Sequence, residues 1–72
     1  MRETKAPIQT FGEFIQSKRE IKNMSQSEVA LRANTKQGTI SKIENGVREP
    51  TLGLALRICD ALGVDINEFV HG

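Results

Sequence analysis

Seventy-two residues make one small domain, and with no Trp or Tyr and only three Phe the core must be built from aliphatic side chains. The single cysteine, Cys59, excludes an internal disulfide and a multi-cysteine metal site. No apolar run nears the roughly 18 residues of a membrane span and no apolar signal-peptide stretch is seen, so a soluble cytoplasmic protein is expected. The net charge of +1 divides unevenly: residues 18–48 carry seven cations against three anions, while residues 49–72 carry Arg57 against Glu49, Asp60, Asp65 and Glu68. A basic middle beside an acidic end suits a middle that faces a polyanion.

Residues 1–9, with Pro7, show no apolar period and read as a flexible arm, leaving 10–72 as the folded domain. Thr10 followed by Glu13 has the spacing of a capping box, in which each side chain satisfies the other's orphan backbone N–H. A first helix is predicted from about Phe11 to Ile21, with Phe11, Phe14, Ile15 and Ile21 facing inward. Ser25 with Glu28 repeats the spacing and opens a second helix that buries Val29, Ala30 and Ala33.

Asn34 and Thr35 break that run. A third helix is predicted over Lys36–Glu44, burying Ile40 and Ile43, and Asn45–Gly46 ends it. Pro50–Thr51 opens a fourth helix over Leu52–Leu62, stopped by Gly63, in which Cys59 is a packing residue beside Ala55 and Leu62. Asp65 with Glu68 starts a last short helix carrying Ile66, Phe69 and Val70. No stretch alternates with period two, so the prediction is an all-α, compact five-helix bundle.

The stretch Gln26–Gly46 carries the functional signal. The second helix is too short to be stable alone, so it must pack on the third, and Ala30 lets the two backbones approach. Asn34 is the best non-glycine candidate for the left-handed residue in the bend between them. One face of the third helix then holds no apolar residue. Lys36, Gln37, Ser41 and Lys42 lie there with Gly38 between them, able to donate to phosphates or to base edges.

The spacing of Gln26, Val29-Ala30, Ile40, Ile43-Glu44-Asn45-Gly46, Pro50 and Ala61-Leu62-Gly63-Val64 resembles the phage repressor/Cro-like (Xre-type) helix-turn-helix family over about residues 11–70. The resemblance implies a lambda repressor-like DNA-binding domain with a central helix-turn-helix. It implies that Gln26 holds a phosphate and touches the recognition helix, that Gln37 and Lys42 read bases with Ser41 close by, and that Thr39 bonds phosphate. Asn45, the amides after it and Arg48 would grip phosphate beyond the helix. Arg19 and Glu44 match a partly buried ion pair that pins the recognition helix. Asn34 departs from the glycine common at its position. Gly38 stands where a longer base-contacting residue is frequent, and it either lets the backbone come closer to DNA or leaves that base pair poorly specified.

The expected function is a sequence-specific regulator of transcription, a repressor, on a pseudo-palindromic operator in double-stranded DNA. The apolar side of the fourth helix covers roughly 200°, more than one core requires. This predicts a homodimer using Leu54 or Leu56 together with Val70. The competing expectation is a protein-interaction module, such as an antitoxin-like or accessory subunit whose DNA binding is secondary. No nucleophile-base or paired-carboxylate arrangement is present and His71 is a lone imidazole, so neither enzyme activity, a metal nor a cofactor is expected.

Overall fold

The computed structural model describes residues 9–71. The expected flexible arm falls outside the described residues except for Gln9, and so does the side chain of His71. The chain folds into α1 (Phe11–Ile21), α2 (Gln26–Arg32), α3 (Gln37–Glu44), α4 (Leu52–Leu62) and α5 (Asn67–His71). No strand forms among the described residues.

Each helix begins where a side chain can take an orphan N–H, with one exception. At α1 the full box forms: Thr10 Oγ1 accepts from the Glu13 amide and Glu13 Oε1 accepts from the Thr10 amide, both at 3.1 Å. At α2 only half of the expected box appears. Ser25 Oγ accepts from the Glu28 amide, but the Glu28 carboxylate turns along the helix to Arg32 at 3.3 Å. Thr51 caps α4. Before α5, Asp65 accepts from the Asn67 amide and its own amide donates to Glu68. The exception is α3, where Lys36 occupies the cap position without a side-chain bond.

The helix ends share one device. At α1, α2, α3 and α4 the chain turns through a left-handed residue, namely Asn23, Asn34, Gly46 and Gly63, with φ of 57°, 58°, 77° and 69°. Each turn closes two carbonyls that would otherwise be orphaned. At α2 the Thr35 amide donates to Ala30 O at 2.8 Å and the Asn34 amide to Leu31 O at 3.2 Å. A third donor reaches the same end from α4, where Arg57 Nε bonds Ala33 O at 2.9 Å.

α3 packs against α1 and α2, and α4 against the same two. Their shared core is Phe14, Ile15, Val29, Ala30, Ala33, Ile40, Ile43, Leu54, Ile58, Cys59 and Leu62. Burying each of the larger aliphatic side chains is worth about 1.5–3 kcal/mol. Burial holds the Cys59 thiol above its ordinary pKa, helped by the charges of Asp65 and Glu68, so it sits as a neutral packing group. α5 closes the bundle through Phe69, whose ring lies 5.4 Å from those of Phe11 and Phe14. Lys18 of α1 also reaches Glu68 at 3.0 Å.

Two apolar expectations are corrected. Ile21 is 71% exposed, because it ends α1 beyond the reach of its neighbours. Leu54 is buried in the core and cannot serve a second surface. The spare apolar edge of α4 is Leu52 and Leu56, 70% and 46% exposed, with Val70 also exposed at 61%.

One close contact was not anticipated. Gly12 is buried, and a Cβ built on it would fall on the Ile43 carbonyl oxygen and 2.9 Å from Glu44 Cα. Only glycine lets the backbone of α1 touch the C-terminal turn of α3.

Candidate nucleic-acid interface

The orientation of α3 follows from which of its residues are covered. Ile40 and Ile43 are buried, and Glu44 is buried beside them. The remaining side chains point out: Gln37, Gly38 and Lys42 are exposed, and Thr39 and Ser41 half-buried. Lys36 before the helix and Asn45 and Arg48 beyond it are exposed as well. The polar face expected from the sequence therefore protrudes from the body.

A buried carboxylate organises one edge of this face. Glu44 takes both arms of the Arg19 guanidinium, at 2.7 Å from Nε and 3.0 Å from Nη2, while Nη1 donates to Met24 O at 2.9 Å. The side chains of Arg19 and Glu44 are 14% and 2% exposed. The hydrogen bond to Glu44 raises the Arg19 pKa further above its ordinary value against the opposing effect of burial, so the charge is secure at any working pH. The expected ion pair is thus present and bidentate.

The same carboxylate, at the end of α3, is linked back to the start of that helix through two amides. Gln26 Nε2 donates to Glu44 Oε1 at 2.9 Å, and Gln37 Nε2 donates to Gln26 Oε1 at 2.6 Å. A carboxylate only accepts, so the Gln26 amide must present its oxygen to Gln37. Gln37 is left with its own oxygen and one N–H pointing outward. That donor–acceptor pair matches an adenine edge. Gln26 touches α3 as expected.

On the opposite edge, Lys36, Thr39 and Arg48 meet at a shallow depression completed by Asn34 and Thr35. It joins the α2–α3 turn to the loop after α3 and is lined by two cations, two hydroxyls and an amide, with no carboxylate. Gln26 and Asn45 are not part of its lining. Asn34 and Thr35 were read from the sequence only as the bend. Their position next to Lys36 was the one available sign that they belong to the surface.

Gly38 costs α3 roughly 0.8–1.0 kcal/mol relative to alanine. Its φ is not left-handed, and a Cβ built on it meets nothing within 4 Å. Among the described residues no three His, Cys, Asp or Glu side chains gather as a metal site, and no helix is long and apolar enough to cross a membrane.

Comparison with known proteins places this geometry. The helix-turn-helix family profile matches residues 15–69. No curated protein sequence matches the chain. Among solved structures, the restriction-modification controller protein C.AhdI from Aeromonas hydrophila superposes with a TM-score of 0.79 at 25% identity, over 82% of this chain and 89% of that one. The clp gene regulator ClgR from Corynebacterium glutamicum gives 0.82 at 25% identity, over 90% and 73% of the two chains. The P22 c2 repressor, solved with a synthetic operator, shares the fold with a TM-score of 0.77 at 23% identity, over 85% and 92%. The chain belongs to the phage repressor/Cro-like (Xre-type) helix-turn-helix family of DNA-binding transcription regulators.

Proposed function

We propose that this protein represses transcription by binding a pseudo-palindromic operator as a homodimer in the cytoplasm, and that it has no catalytic activity. Residues 10–72 form the single DNA-binding unit, and α3 enters the major groove. Gln37 and Lys42 read bases with Ser41 beside them. Gln26, Lys36, Thr39, Asn45 and Arg48 hold phosphates, and the Arg19–Glu44 pair keeps α3 in place. The observation that carries this reading is the protruding polar face of α3, tied at one edge to a buried carboxylate and flanked at the other by Lys36 and Arg48. The company of a controller protein, a gene regulator and an operator-bound repressor supports it.

Leu52, Leu56 and Val70 supply an apolar surface for the two-fold partner. Pairing would set two reading heads on half-sites about one turn apart, ~34–36 Å. Selection of bound duplexes from a random pool tests the reading. Gln37→Ala or Lys42→Ala should relax base preference, whereas Asn45→Ala should weaken binding to every sequence. Leu56→Glu should yield a monomer by analytical ultracentrifugation. If the two groups of variants behave alike, the assignment of roles is wrong.

Leu31, 79% exposed on α2 and used by neither surface, favours a second reading as an antitoxin-like or accessory interaction module. That reading requires selection to return only nonspecific binding and a stoichiometric partner to co-purify.

A further inference from the structure

We propose that Gly38 sets the depth at which α3 seats in the major groove, and so determines specificity through the side chain it lacks. The inference rests on the DNA-reading role proposed for α3. Glycine inside a helix normally answers a need within the chain, either a left-handed φ or a neighbour too close for a Cβ. Gly38 has neither. Gly12 shows the contrast, since a Cβ there would collide with the backbone of Ile43 and Glu44. Gly53 is as open as Gly38, but it belongs to α4, beside Leu52, and not to the polar face of α3.

The position of Gly38 gives its openness a meaning. On the wheel of α3 it falls opposite Ile40 and Ile43 and between Lys42 and Asn45, at the apex of the protruding face. A groove that receives this helix meets Gly38 first. With only a hydrogen at the apex, the helix axis sits nearer the base pairs. The groups on one flank then come within reach, namely the free N–H and oxygen of Gln37 and, one turn on, the short, half-buried hydroxyl of Ser41. A methyl group at the apex would lift the helix and withdraw both groups, although nothing in the protein itself would resist it.

The test is Gly38→Ala, read on two duplexes of equal length: one selected from a random pool by the wild-type protein, the other a scramble of it. Alanine should raise Tm by roughly 4–8 °C, because it favours the helix and meets no neighbour. Affinity for the selected duplex should fall at least tenfold, while affinity for the scramble stays unchanged. A variant that binds the selected duplex as tightly as wild type, or loses affinity for both duplexes equally, overturns the proposal. So does a fall in Tm, which would mean that the fold itself needs the glycine. If the wild-type protein selects no sequence, the reading role of α3 fails first and takes this inference with it.

Discussion

Removing either member of the Arg19–Glu44 pair should come close to unfolding the protein. The two side chains are 14% and 2% exposed and are held by four hydrogen bonds, so a survivor left alone is a buried charge without its counter-charge. Breaking a buried pair in this way costs about 3–5 kcal/mol, whereas an exposed pair is worth about 1 kcal/mol or less. A domain of this length has a total stability of roughly 4–11 kcal/mol. Glu44→Met or Arg19→Met should therefore lower Tm by at least about 12 °C, followed by far-UV circular dichroism. The double variant removes both charges and fills the space with apolar chains. It should lie within about 2 kcal/mol of wild type by urea denaturation, well short of the sum of the single losses. Single losses below about 1 kcal/mol, or losses that simply add in the double variant, would refute the view of a buried, mutually dependent pair.

Other outcomes follow from the same contacts. Gly12→Ala places a methyl group on the Ile43 carbonyl, and backbone cannot swing aside. It should cost about 1–3 kcal/mol by urea denaturation, and an unchanged midpoint would deny the close approach of α1 and α3. The Lys18 ammonium, then the Asp65 amide, hold the Glu68 carboxyl below its ordinary pKa. Its contribution is therefore present above the ordinary carboxylate range and lost as pH falls through the lowered value. The stability difference between wild type and Glu68→Gln should shrink on acidification through that range, and a constant difference would mean that the Lys18 contact does not matter.

The helix ends were the most legible part of the fold, because capping is local chemistry. Thr10, Ser25, Asn34, Gly46 and Gly63 each act within a few residues of themselves, and all five serve at helix ends as read. Asn23 was missed, although it uses the same left-handed turn as Asn34. What failed needed knowledge of neighbours. Periodicity placed Ile21 on the apolar side of α1 but could not say that no helix extends that far. It measured the wide apolar arc of α4 but not which edge the core would cover, hence the exchange of Leu54 for Leu52. Gly12 did leave a signal, since it stands seven residues before Arg19 and so shares the face that meets Glu44. Arg57 left none, because a guanidinium reaching across to the Ala33 carbonyl has no sequence pattern.

The grip on the last turn of α3 has a consequence for the nucleic acid. Backbone contact at Gly12 and the fork of Arg19 hold that turn from the same side, so the helix has little freedom to tilt toward its target. A rigid probe pushes conformational adjustment onto the duplex, and the energy of bending or twisting DNA differs from one base step to the next. Sites should then be ranked partly by how readily they deform, including at base pairs that no side chain meets.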